Sequence, residues 1–354
     1  MSRARDFADL AGSADAGGIT GRNLIHNGAM AVVQRGGSAT TGNRTVDRFL
    51  NTYGGATITQ SQDTTVPSGE GFSFSYKHEC TAASSSNGAF FGILYRVEAQ
   101  DIRNSGWNYT DPNSRITLSF YARSSVAGTY MASLESNDGT VYNIASQYTL
   151  EANTWKRVVL NFPGNSNITI DNNNGQGLTV FPLKEYGSSY TTGSSFDTWT
   201  AHTSGTQSPD ANINIHDTAN ATFFVTGVQL EVGEQATPFE HRSFGDELAR
   251  CQRYFQVVGN SAYFAGNGVG SASIAVGIPL ATPMRAEPSV PDTGYKAHRE
   301  GNTNSGTNCV TAVTYATIGS SNLQLRVDFG SGITDEQGYN LNFTTADLQL
   351  NSEL

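Results

Sequence analysis

The residues whose types and spacing could do chemistry in this 354-residue chain are aromatic. Trp107 and Tyr109 lie in the polar stretch Asn104 to Ser114. Tyr186, Tyr190 and Trp199 lie in or beside the long polar stretch Gly187 to Asn220. A sugar ring presents a flat C–H face that settles on an indole or phenol ring, and its hydroxyls need amide and carboxylate partners. Rings embedded among Asn, Asp and Gln are therefore candidates for glycan contact. The competing role for each ring is to plug its own loop onto the protein body. Loops of this length in a compact domain are functional or disordered, and aromatic content argues against disorder.

No catalytic motif accompanies them. There is no Gly-x-Ser-x-Gly elbow and no His-Glu-x-x-His helix. His216 and Asp217 are adjacent, which on a strand points their side chains apart. The glycine-rich run Gly266 to Gly270 lacks the Lys-Ser/Thr of a phosphate loop and reads as a connection between strands. A glycosidase pair needs two acids on the order of 5–10 Å apart, and sequence singles out no such pair. Asp47, Asp63, Asp171 and Glu231 are possible donors to a structural calcium, but none sits in a dense acidic array. The reading is a non-enzymatic protein with no required cofactor. Cys80, Cys251 and Cys309 are an odd, widely spaced set and read as free thiols in a core.

Composition narrows the partners. The net charge is −10, with 21 Lys and Arg and no basic run, which argues against nucleic acid. No apolar stretch approaches the roughly 20 residues that span a bilayer. Acids in Met1 to Asp9 stand where a signal peptide needs its apolar region, so synthesis and assembly in a cytoplasm are expected. Only 15% of residues are charged and 38 are glycine. With 18 Phe and 15 Tyr, this is the composition of an all-β protein rather than a disordered one.

The elements that must position the rings are short strands. Phe72–Tyr76, Phe90–Val97, Ile116–Ala122, Tyr130–Leu134, Trp155–Phe162, Leu178–Leu183 and Ala221–Leu230 carry strand patterns, and Asn23–Gly28 is a short apolar stretch closed by an Asn-Gly turn. With no long helix between them, they predict a jelly-roll β-sandwich over 23–243. Residues 1–22 read as a polar arm, flexible or ordered only on docking.

One helix is expected, Phe244 to Gln256, within a connector spanning 244–257. Phe244, Leu248, Cys251 and Phe255 make one apolar stripe on it, suited to an oligomer seam or to packing on a sheet. A smaller β domain follows over 258–354, with strands at Ser273–Ile278, Leu323–Phe329, Leu341–Phe343 and Leu348–Leu350. Such a domain could hold its own core or share one between subunits.

Three stretches together resemble a known group. Asn23-Leu-Ile-His-Asn-Gly-Ala-Met-Ala-Val-Val-Gln-Arg-Gly, with Thr45-Val-Asp-Arg-Phe, is similar to the opening of bacteriophage tail-fibre and prophage tail proteins. Val228 to Gln256 resembles that group's most distinctive segment, and Pro283-Met-Arg-Ala with the final Leu354 resembles its C-terminal β region. The sandwich is also similar to jelly-roll carbohydrate-binding modules, with Ala29-Met30 where those modules often carry Phe-Glu; the departure weakens transfer of their calcium site. The resemblance implies a virion protein: a trimeric fibre or fibre-like appendage attached to other virion proteins by its N-terminal arm and binding host surface polysaccharide. A capsid decoration or head fibre of the same fold, and a glycan-degrading depolymerase, are the alternatives.

Overall fold

The computed structural model describes residues 21–39, 45–210, 214–259, 263–290, 295–299, 306–308, 311–314, 322–329, 331–343 and 348–354. Most of the expected arm, residues 1–20, and Cys309 lie outside them. The chain is all-β and divides into two compact units, one running to Glu247 and taking in Leu354, the other Leu248–Glu353.

The first unit is a sandwich of two six-stranded antiparallel sheets. Its strands are β1 (Ser38–Ala39), β2 (Phe49–Gly54), β3 (Thr57–Asp63), β4 (Ser75–Ala82), β5 (Phe90–Glu98), β6 (Arg115–Ser124), β7 (Gly128–Ser136), β8 (Tyr142–Leu150), β9 (Lys156–Pro163), β10 (Gln176–Tyr186), β11 (Thr200–Ala201) and β12 (Thr222–Val232). Sheet A runs β1-β3-β4-β12-β6-β9 and sheet B runs β11-β8-β7-β10-β5-β2. Alternation decides the inner faces: Ile116, Leu118, Phe120 and Ala122 of β6 share one core with Phe91, Ile93, Tyr95 and Val97 of β5. A five-residue helix, α1 (Ala99–Arg103), follows β5.

Besides the two-residue strands β1 and β11, three longer strands of this unit escaped the sequence pattern. β3 reads Thr-Ile-Thr-Gln-Ser-Gln-Asp, yet Ile58 and Gln60 are both buried, because the Tyr76 hydroxyl donates to Gln60 Oε1 at 2.6 Å. β2 and β8 are similarly polar on one face. Conversely, Phe72–Phe74 precedes β4 instead of opening it, and the Phe72 ring packs against Tyr121, Phe239 and His241.

Two of the stretches that carry the family resemblance lie against each other. Leu24 N–H donates to Leu230 O and Val228 N–H to Gly28 O. Asn23 Oδ1 accepts from Leu230 N–H, and the Glu240 carboxylate accepts from the N–H groups of Gly21 and Asn23. Arg242 donates to the carbonyls of Asn23 and Ile25 and pairs with Glu240 and Glu247. Gly28 is required here, since a Cβ at that position would stand 2.1 Å from Val228 O. These motif residues close the first unit upon itself.

The second unit holds β13 (Phe255–Val258), β14 (Tyr263–Val269), β15 (Ser273–Pro279), β16 (Tyr295–Arg299), β17 (Gly306–Asn308), β18 (Thr311–Thr314), β19 (Asn322–Asp328), β20 (Gly338–Phe343) and β21 (Leu348–Asn351). Seven form the sheet β17-β16-β20-β14-β15-β19-β18, and β13 pairs with β21. Ile274, Val276, Leu325, Val327 and Leu341 belong to its apolar core. The Gly266–Gly270 run is not a loop: Gly266 and Gly268 lie within β14, where a Cβ on Gly268 would meet Thr334 O at 2.0 Å.

The helix is shorter than its pattern. α2 spans Phe244–Gln252, the division between units falls inside it, and Phe255 opens β13 by pairing with Asn351. The four-residue stripe is therefore not continuous. Cys251 and Phe255 are each 1% exposed and already covered by the chain, Leu248 is half-buried, and Phe244 is open to solvent at 60%. A seam through all four would need a helix that has already ended and two side chains that are not at the surface.

Candidate functional site

The five ring candidates separate into three places. Trp107 is buried in the sandwich core and donates from Nε1 to Ser114 O at 3.4 Å. Tyr109 is half-buried beside it, ring centroids 6.2 Å apart, with the Arg103 guanidinium bonded to its hydroxyl. Trp199 is also buried; it follows the edge of β8 through β11 and donates from Nε1 to Pro163 O of β9 at 2.8 Å, closing the gap between the two edge strands. Neither tryptophan presents a face to solvent, so both act as the plugs that were the competing reading.

Tyr186 and Tyr190 do come together, 5.5 Å apart and edge to face, with Phe90 completing the cluster. They belong to the outer face of sheet B, which the segment after β10 covers. Asn143 donates to the carbonyls of Thr200 and Thr206, Ser208 reaches Met131 Sδ, and Tyr190 leans on Tyr186. Under that cover Lys184, 1% exposed, pairs with Glu135 at 2.6 Å and has the Phe181 and Tyr186 rings 4.8 and 4.7 Å from its ammonium. Tyr186 is buried and only Tyr190 keeps partial exposure.

The outer face of sheet A is different. An open groove of about 500 Å³ is lined by Pro67, Ser68, Glu70, Tyr121, Trp155 and Arg157. Register builds it: Tyr121 on β6 stands opposite Arg157 on β9 and Thr226 on β12, and Arg123 stands opposite Phe224. The outward set is the alternate of the core set, so these side chains share one face. Trp155 lies one residue before β9, half-buried, with its ring 6.3 Å from Phe224. The Tyr121 hydroxyl donates to Glu70 Oε2 at 2.6 Å. Burial and the Glu70 carboxylate push that phenol up to about 12, so it remains a neutral donor at ordinary pH.

This face was missed in the sequence because Trp155 stands at the mouth of a strand rather than in a polar loop. The signal was present: Trp155 and Arg157 alternate with the inward Val158 only if one counts outward from the core. Trp155 is the one tryptophan of three with a ring at the surface.

The calcium donors do not converge. Asp47 accepts from Gln34 and faces Arg35, and Glu231 accepts from Gln229 and Thr237. Among the described residues no three of His, Cys, Asp or Glu are grouped as a metal would need. One carboxyl is strongly perturbed: Glu185, fully buried, is raised to about 7 by desolvation although it accepts from the N–H groups of Asn214, Ile215 and His216. His78 and His216 stack on Phe91 nearby, and burial lowers both. This trio is sealed in the sandwich. Cys80, also buried, sits within 3.7 Å of His216 O, and Cys251 is likewise buried.

Fold and groove together define an all-β sandwich protein with one covered sheet face and one that is partly covered and grooved. No protein-family model matches the chain, and no curated protein does. Among solved structures it is similar to the enzymatically active domain of a tailspike protein of bacteriophage CBA120, at 14% identity and a TM-score of 0.33. That match covers 60% of this chain and 22% of the tailspike chain. It is also similar to a xylan-binding domain from Paenibacillus barcinonensis (9% identity, 61% of this chain, 97% of the other, TM-score 0.30). A third likeness is to a Stig cyclase from Fischerella sp. TAU (11% identity, 60% and 97%, TM-score 0.34).

Proposed function

We propose that this chain is a non-catalytic, glycan-binding adhesion protein of a virion appendage, and that it binds through the open groove on sheet A. The observation that carries the binding part is the pairing of a half-buried indole, Trp155, with donors and acceptors from Tyr121, Glu70 and Arg157 in one groove. The indole stacks a sugar face, and the polar groups read hydroxyls, which is the division of labour small-ligand sites use. The virion part rests on the resemblance of Asn23–Gly36 and Val228–Gln256 to phage tail proteins. A homotrimer fits that reading, because single sugar contacts are weak and three linked grooves raise avidity. Non-catalytic binding is supported by the position of Glu185: the carboxyl with a pKa suited to acid–base work is buried under backbone donors.

A glycan microarray probed with the full chain tests this. The expected result is binding to at least one saccharide that is lost in Trp155→Ala while the melting temperature stays within a few degrees. Binding to none, or binding indifferent to Trp155→Ala, overturns the groove. Release of reducing ends from a bound polysaccharide overturns the non-catalytic reading, and a monomer in light scattering overturns the trimer.

A further inference from the structure

The charges around the groove narrow its ligand, and the narrowing rests on the glycan reading above. Arg123 and Arg157 have no carboxylate partner among the described residues. Arg22, Arg35 and Arg242, by contrast, face Glu231, Asp47 and the Glu240–Glu247 pair. Lys77, the next cation along sheet A, is paired with Glu79 at 2.7 Å. On a chain with a net charge of −10, the groove therefore holds one guanidinium without an ion pair, Arg157, beside a single carboxylate, Glu70, and Arg123 stands beyond the lining on the same sheet face.

Both are held in place by neutral acceptors. Arg123 donates from Nε to Asn153 O at 3.0 Å and from Nη2 to Asn153 Oδ1 at 3.3 Å, with its guanidinium 5.3 Å from the Phe224 ring centre. Arg157 donates from Nη2 to Thr237 O at 2.5 Å. A guanidinium has five N–H donors, so Arg123 keeps its Nη1 pair and Arg157 keeps Nε and Nη1 for an outside acceptor. Carbonyl anchoring fixes these long side chains without neutralising them, which removes part of the ordering cost of binding. Glu70, the acid that lines the groove, already accepts from the Tyr121 hydroxyl.

We infer that the groove takes a carboxylate-bearing saccharide, with Trp155 under the sugar ring, Arg157 holding the carboxylate and Arg123, beyond the lining on the same face, as the second guanidinium a longer saccharide would meet. The carboxylate of a uronic-type sugar projects from the ring edge, so a ring stacked flat on the indole directs it sideways, toward neighbouring strands. A planar guanidinium receives it with two parallel hydrogen bonds, a geometry an ammonium cannot offer. Long-range attraction does not explain such binding, since the whole chain repels polyanions; the recognition is local.

Affinity electrophoresis of the full chain tests this, using gels that contain polygalacturonate, alginate, hyaluronan or polysialic acid, against dextran, mannan, galactan and xylan, with dextran sulfate as a third arm. Retardation is expected in at least one carboxylate gel, and carboxyl reduction of that polymer should weaken it at least tenfold. The double variant R123Q/R157Q should bind the native and carboxyl-reduced polymers equally, whereas W155A should bind neither. Retardation by neutral polymers alone overturns the inference and leaves glycan binding standing. Retardation by dextran sulfate without any carboxylate polymer overturns it as simple ion exchange. No retardation in any gel overturns both readings.

Discussion

Sheets A and B are built by the same rule and end in opposite states. Each has an inner face of alternate apolar residues and an outer face that mixes rings with charges. On sheet B the outer cation, Lys184, is buried, ion-paired and flanked by two rings. On sheet A the outer cations Arg123 and Arg157 are held by neutral acceptors, and Arg157 shares a groove with the half-buried Trp155. The difference comes from the connections: part of the segment between β10 and β12 lies over sheet B, whereas Phe72, Phe239 and His241 cover only part of the outer face of sheet A and leave the groove beside them. An aromatic and charged face is thus a piece of core or a binding surface according to what covers it.

The comparison breaks most visibly at Lys184. Lys184→Ala leaves Glu135 buried and unpaired, which should cost about 3–5 kcal/mol. Arg157→Ala on the open face should stay within about 0.5 kcal/mol. Chemical denaturation of both variants checks this, and equal losses would mean that the two faces are equally covered. Next in size are the tryptophans. Trp199→Ala empties the closure between β8 and β9 and should cost about 3–4 kcal/mol, while Trp155→Ala should change stability by less than about 1.5 kcal/mol. Urea midpoints decide it, and a Trp155 loss as large as that of Trp199 would make Trp155 a packing residue.

The smallest effect concerns the layer behind sheet B. Glu185 is raised to about 7 from an ordinary 4.5, so its contribution to stability is complete below pH 4.5 and lost as pH rises through 7. His216 is lowered to about 4 from 6.5, so its contribution is present above 6.5 and lost as pH falls through 4. The two oppose each other between pH 4.5 and 6.5. Glu185→Gln removes only the first. The melting temperature of the variant relative to wild type should climb from pH 4.5 to 7 and then level, a change on the order of 3 kcal/mol. A difference that does not vary with pH would mean that Glu185 ionises normally in the folded protein.

Much of the sandwich was legible because period-two alternation is local: Ile116–Ala122, Trp155–Phe162 and Leu178–Leu183 lie in observed strands. β3 was not, because Gln60 becomes a core residue only when the Tyr76 hydroxyl satisfies it from the neighbouring strand. The end of α2 was not, because Phe255 continues a helical stripe in sequence but gains a ladder with Asn351 nearly a hundred residues later. Of the ring candidates, Tyr186 at the end of β10 and Tyr190 after it meet in space, while Trp107 and Trp199 were chosen for polar surroundings that wrap them.

By itself the sequence determined which residues face inward in the strands whose apolar and polar residues alternate, such as β6, since a strand's two faces follow from counting by twos. It also determined an acidic, turn-rich, all-β chain. Only the tertiary structure decided which outer face stays open. That choice depends on where a 30-residue-scale connection lies after folding, and its burial free energy comes from residues far apart in the chain.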